Sequence, residues 1–189
     1  MDADLISREL SSAIECLQEF KRSQSADGTL AAFVDRLVAT FQAGNKVLVA
    51  GNGGSMADAM HFAEEWTGRF KSDRRPYPVM ALGDPTHLTC VANDYGYEHV
   101  FSRLVAAFAK PDDLVVLLST SGNSPNLVLA AEAATVAGAY VVGFLGRGGG
   151  ELASLCDLVV SAPGETSDRI QEVHMTALHI ATEAAEARL

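Results

Sequence analysis

DLVVLLSTSGNSPN, residues 113–126, runs from a nearly continuous apolar segment into a turn made almost wholly of small hydrogen-bonding residues. An apolar, Val-containing run this short, bounded by turn residues, reads as a buried strand of a parallel sheet ending at Leu118. Ser119, Thr120, Ser121 and Gly122 then form the turn. Ser124 takes the N-cap position and Pro125 the first helical position, where the missing proline amide costs nothing. The apolar stretch NLVLAAEAATVAG continues as a helix. The unit is strand, polar turn, helix.

Four more runs share the character of the first: KVLVA (46–50), YPVMAL (77–82), AYVVGFL (139–145) and DLVVSA (157–162). Helical patterns fall between and after them, at 55–69, 86–108, 124–137 and 167–187. Strand followed by helix throughout predicts a three-layer α/β/α sandwich around a five-stranded parallel sheet with right-handed crossovers. Ahead of it, Leu5, Ile6, Leu10, Ile14, Leu17 and Phe20 recur at helical spacing over 2–20, and Leu30, Phe33, Val34, Leu37, Val38 and Phe41 do so over 29–41. Residues 1–44 therefore read as a helical hairpin whose spare apolar surface packs on the domain or on another subunit, and 45–189 as the α/β domain.

The chain has 189 residues, 48% hydrophobic, enough for one substantial core. Its 24 acidic and 14 basic residues give a formal charge of −10, which disfavours nucleic acid and obliges any anionic ligand to be held by local groups. The cysteines Cys16, Cys90 and Cys156 are widely spaced and read as reduced thiols. The acidic, amphipathic start and the lack of any apolar run near the roughly 20 residues needed to span a bilayer predict a soluble cytoplasmic protein with no membrane partner.

In α/β sheets of this kind ligands bind beyond the carboxyl ends of the strands. Two loops there are chemically unusual. The opening stretch places four hydroxyls within six residues at a helix start, more than one cap requires. Hydroxyls and free amides at the positive end of a helix make a neutral cradle for a phosphate monoester. The other loop, GNGGSMADAMHF (51–62), has three glycines and an asparagine, with Ser55 as expected cap and Asp58 three residues on. It lacks the lysine of a nucleoside triphosphate loop and the dinucleotide-binding glycine spacing.

On the helix that follows, Ala59, Phe62, Ala63 and Trp66 share one face. His61 and Glu65, four apart, form a separate seam about 130° away at roughly 100° per residue, which places them outside the core. An imidazole and a carboxylate there are either a solvated pair or part of a zinc-type site. The last helix offers Gln171, Glu172, His174 and His179, with Asp168 in its first turn, where an acid suits the dipole. His174 reads as structural.

Taken together, GNGGSMADAMHFAEEWTGRF, CVANDYGYEHVFSR, LSTSGNSPN and DRIQEVHMTALHI resemble the phosphoheptose isomerases of the sugar isomerase (SIS) domain superfamily over nearly the whole chain. The resemblance implies that Ser119, Thr120, Ser121 and Ser124 hold the phosphate, and that Asn52, Gly53, Gly54, Ser55, Asn93 and Asp94 line the sugar. It implies a Zn²⁺ site of His61, Glu65, Gln171 and His179, with Glu65 and His179 as acid and base. Asp168 matches a residue near the active site. The implied reaction converts sedoheptulose 7-phosphate to D-glycero-D-manno-heptose 7-phosphate, for lipopolysaccharide or related glycans, in a homotetramer. A non-catalytic SIS-domain sensor or adaptor is the alternative, and would need neither Glu65 nor His179. Gln171 and His179 lie eight residues apart, about 12 Å along a helix, which is long for one ion. This spacing predicts a site shared between subunits.

Overall fold

The computed structural model describes residues 2–189. Two helices, α1 (Asp2–Asp27) and α2 (Thr29–Gln42), precede β1 (Val47–Gly51) and α3 (Gly54–Thr67). Then come β2 (Val79–Ala81), α4 (Pro85–Tyr95), α5 (Ser102–Phe108), β3 (Leu114–Ser119), α6 (Pro125–Val136), β4 (Tyr140–Leu145), β5 (Leu158–Ser161) and α7 (Ser167–Glu186). The five strands are all parallel, in the order β2-β1-β3-β4-β5. This is the expected α/β/α sandwich.

Alternation along the strands makes the three layers. On β3, Leu114, Val116 and Leu118 point into a core shared with α2, α3 and α7, whereas Val115 and Leu117 point into one shared with α5 and α6. Both sets are fully buried, which is why the strand shows no polar alternation in sequence. Helix α2 belongs to the first core through Leu30, Phe33, Val34, Leu37, Val38 and Phe41. Each such side chain contributes roughly 1.5–3 kcal/mol when fully buried, so α2 is anchored in the domain.

Helix α1 runs on to Asp27, beyond the expected end near Phe20, because no breaker intervenes before Gly28, whose φ is +64°. It buries Phe20 but leaves Leu5, Ile6, Leu10 and Ile14 exposed. Three further expectations are corrected. The helix expected over 86–108 is broken at Gly96, where φ +98° and ψ 151° are closed to other residues, into α4, a 3-10 turn at Tyr97–His99, and α5. After β4 no α-helix forms: Arg147–Gly149 and Glu151–Leu155 are 3-10 turns, since three successive glycines at positive φ cannot continue a helix. Ser55 is not the cap of α3; Gly53 is, and Ser55 lies inside the first turn.

Candidate active site

The chain reverses its direction across the sheet between β1 and β3, so the loops after these neighbouring strands diverge and open a crevice at their carboxyl ends. Asn52, after β1, and Asn126, in the first turn of α6, close its floor with a reciprocal amide pair of 2.9 and 2.8 Å. The Tyr97 hydroxyl donates to Asn52 Oδ1 at 3.0 Å. Neither Asn126 nor Tyr97 was legible as a site residue, because only the switch of strand order brings them to Asn52.

Above this pair lies a cavity of about 180 Å³ lined by Asn52, Ser55, Ser119, Thr120, Ser124, Ser167 and Gln171, with Leu118 and Leu127 beneath. The starts of α3, α6 and α7 contribute Ser55, Ser124 and Ser167 to its lining, so positive dipole ends face a cavity none of whose lining residues is basic. Ser124 is the N-cap of α6 by backbone geometry, yet its side chain makes no cap bond, which leaves its hydroxyl free for a ligand. Thr120 and Ser167 share a hydroxyl contact of 3.2 Å. Ser119 is partly committed, accepting from Gly122 N at 2.9 Å, and Ser121 accepts from Asn123 N at 3.2 Å without lining the cavity. Ser167 was missed in sequence, although a serine in the first turn after a strand is the signal that could have found it.

Gly54 makes room here for a neighbouring side chain. A Cβ on Gly54 would meet the Gln171 side-chain amide at 2.6 Å, so the missing side chain is the space Gln171 occupies while it donates to Ser55 Oγ at 3.3 Å. Ser55, Gln171 and the β3 hydroxyls thus belong to one wall.

A second group lies farther along the same helix pair. Glu65 Oε1 is 3.1 Å from His61 Nε2 and 3.7 Å from His179 Nε2, and the donor atoms of the three residues lie within 4.8 Å of one another. The imidazoles meet edge to face at 5.1 Å between centroids. Contrary to the reading of His61 and Glu65 as one exposed seam, Glu65 is only 7% accessible: α7 packs over it and leaves His61 exposed. Two imidazole nitrogens and a buried carboxylate around one open point match the His and carboxylate donor set of a zinc-type ion.

Gln171 does not join this group; it sits about 12 Å up α7, against Ser55. Asn93 and Asp94 on α4 are exposed and bond each other at 2.7 Å. Asp168 is exposed at the start of α7, its acidity increased chiefly by the Thr166 hydroxyl and then by backbone amides and Arg169.

A family model for the SIS domain matches residues 10–146. The phosphoheptose isomerase of Fusobacterium nucleatum is 47% identical over 172 residues, covering 91% of this chain and 89% of its own. The chain belongs to the phosphoheptose isomerase family. That of Vibrio cholerae is 44% identical over 187 residues, covering 98% of each chain. The structure of a phosphoheptose isomerase from Neisseria gonorrhoeae superposes with a TM-score of 0.93 at 31% identity, covering 99% of this chain and all of the other. The superposition extends over the N-terminal helices, so α1 and α2 are part of the family fold. The two clusters differ in chemistry: one is a wall of hydroxyls and amides at helix starts, the other a buried carboxylate beside two imidazoles.

Proposed function

We propose that the chain interconverts sedoheptulose 7-phosphate and D-glycero-D-manno-heptose 7-phosphate through an enediol. The observation that carries this is the meeting of Glu65 with His61 and His179 on the helix pair whose N-termini form the phosphate wall. A seven-carbon sugar phosphate needs those two functions apart, since its phosphate and its C1–C2 end are at opposite ends of the molecule.

In the forward direction the C1–H bond of the ketose breaks and its electron pair forms the C1–C2 double bond, while the C2 oxygen takes a proton. The enediol then loses the O1 proton as C2 is protonated, which leaves the aldose. Glu65 and His179 share these transfers as base and acid. His61, Glu65 and His179, with Gln171 from the resemblance, would hold Zn²⁺, which when bound supplies Lewis-acid stabilisation of the developing oxyanion. A side chain bound tightly to a metal is a poor proton carrier, so one of Glu65 and His179 exchanges between the two duties. Ser119, Thr120, Ser121 and Ser124 anchor the phosphate, and Asn52, Gly53, Gly54, Ser55, Asn93, Asp94, Asp168 and Gln171 border the sugar.

The separation of Gln171 from His179 in one chain, and the exposure of Asn93 and Asp94, support a site completed by a second copy in a homotetramer. Residues 1–44 form the hairpin at that interface, with exposed Leu5, Ile6, Leu10 and Ile14 covered there, and 45–189 the SIS domain. Among the described residues no helix is long and apolar enough to cross a membrane. That fits a cytoplasmic enzyme supplying heptose for lipopolysaccharide or another surface glycan.

The test is incubation of purified protein with a panel of ketose phosphates, with and without chelator, following aldose formation. Turnover of the seven-carbon ketose that is lost on chelation and restored by Zn²⁺ is the expected result. No turnover of any member would instead favour a sensor or adaptor.

A further inference from the structure

The segment between α3 and β2 carries a side chain that grips both helices of the proton-transfer cluster. Arg74 Nη2 donates to the Glu65 carbonyl at 2.6 Å, and Nη1 donates to the Trp66 carbonyl at 2.9 Å. Its Nε donates to Glu186 on α7 at 2.7 Å. Both partners are almost enclosed, with side-chain accessibilities of 12% and 11%. The guanidinium also lies over the rings of Trp66 and Tyr77, at 5.0 and 5.5 Å from their centroids.

These contacts are specific to what the residues are. Glu65 and Trp66 are near the end of α3, where carbonyls lack intrahelical partners and a cation is favourable. Glu186, by contrast, stands in the last turn of α7, where an acid is disfavoured by the dipole, and Arg74 offsets that. Three separate nitrogens of one planar fork serve the two carbonyls and the carboxylate, whereas a lysine carries its three donors on a single nitrogen. Four residues earlier, Phe70 stacks on His179, rings 5.8 Å apart and inclined by 15°. The same loop therefore touches the backbone of Glu65 and the imidazole of His179.

We infer that Arg74 and Phe70 are positioning residues for the isomerisation, holding Glu65 and His179 in register by clasping the end of α3 to α7. The inference rests on the isomerase reading above. Loss of such supporting contacts costs about 10–100-fold in activity or metal affinity. Neither residue reaches the phosphate wall, so the effect falls on kcat and on the cluster, not on KM.

The experiment measures kcat and KM for sedoheptulose 7-phosphate, together with Co²⁺ affinity from visible absorption. It compares wild type with Arg74→Met, Arg74→Lys and Phe70→Leu, each normalised to folded protein by circular dichroism. Arg74→Met is expected to lower kcat and Co²⁺ affinity by about 10–100-fold with KM within about twofold. Arg74→Lys, which keeps the ion pair but not the double carbonyl contact, should recover folding without recovering kcat. Phe70→Leu should lower kcat alone. If Arg74→Met does not fold, the other two variants decide. Wild-type turnover with kcat and Co²⁺ affinity unchanged in Arg74→Lys and Phe70→Leu overturns the inference alone. Wild type with neither turnover nor Co²⁺ binding overturns the isomerase reading, and the inference with it.

Discussion

Glu65 and His179 stand 3.7 Å apart, carboxylate to imidazole, across the seam between α3 and α7. Ser55 meets Gln171 near the start of the same two helices, so α3 and α7 run in parallel and their contacts stay in register. One helix pair thereby connects the hydroxyl-lined wall to the Glu65 cluster.

Glu65→Gln keeps the size of the side chain and removes its basicity. Loss of a general acid or base costs about 10²–10⁴-fold, so kcat falls by that order. KM stays near the wild-type value, because the hydroxyls proposed to hold the phosphate lie in the other cluster. Steady-state kinetics on sedoheptulose 7-phosphate read both, and unchanged turnover would remove Glu65 from the base role.

Ser124→Ala separates capping from binding. An N-cap serine that bonds its helix is worth about 1 kcal/mol, but the Ser124 hydroxyl makes no such bond. Urea unfolding should therefore shift by less than about 0.5 kcal/mol. KM should rise by about tenfold, as one hydrogen bond to a charged ligand is worth roughly 1.5–3 kcal/mol. A large stability loss with unchanged KM would reverse the assignment.

Two glycine substitutions should behave differently. In Gly54→Ala the new Cβ meets the far end of the Gln171 side chain, which can swing away, so KM rises while the melting temperature barely moves. In Gly122→Ala the Cβ would lie 1.9 Å from the Gly149 carbonyl oxygen, at a φ of +66°. Backbone cannot step aside, and thermal unfolding should show a loss of more than about 3 kcal/mol.

His174 is 1% exposed, packs edge-on against Phe144, and has no hydrogen-bond partner at either nitrogen. Burial lowers its pKa from 6.5 to about 4. A depressed folded pKa means that the unfolded chain takes up the proton first, so the contribution is present above pH 6.5 and is lost as pH falls toward 4. The full difference is about 3 kcal/mol. Asp58 opposes it: burial raises its pKa to about 6, so its penalty is greatest above that value and is relieved on acidification. Urea denaturation from pH 7 to 4 on wild type and His174→Leu isolates the histidine, whose removal should flatten the acid limb. Identical slopes would mean that His174 takes its proton in the folded state.

The central strands β1, β3 and β4 were legible because they are buried on both faces, which leaves short Val- and Leu-rich runs between turn residues. Pro125 and the polar turn marked the start of α6 by local chemistry alone. The strand-then-helix order fails after β4, where Gly148, Gly149 and Gly150 take positive φ and only 3-10 turns form. Glu65 was misplaced for another reason: helical periodicity orders the faces of α3 but does not reveal that α7 covers its charged seam.

The sequence by itself determined the layers, the hydroxyl-rich wall and, through four motifs, the family, since these depend on neighbours a few residues apart. Only the tertiary structure decided that Glu65 is enclosed beside two imidazoles, that Gln171 fills the space over Gly54, and that Arg74 ties α3 to Glu186. Those relations join residues distant in the chain, and their register is set by how the two helices pack, a quantity no local spacing contains.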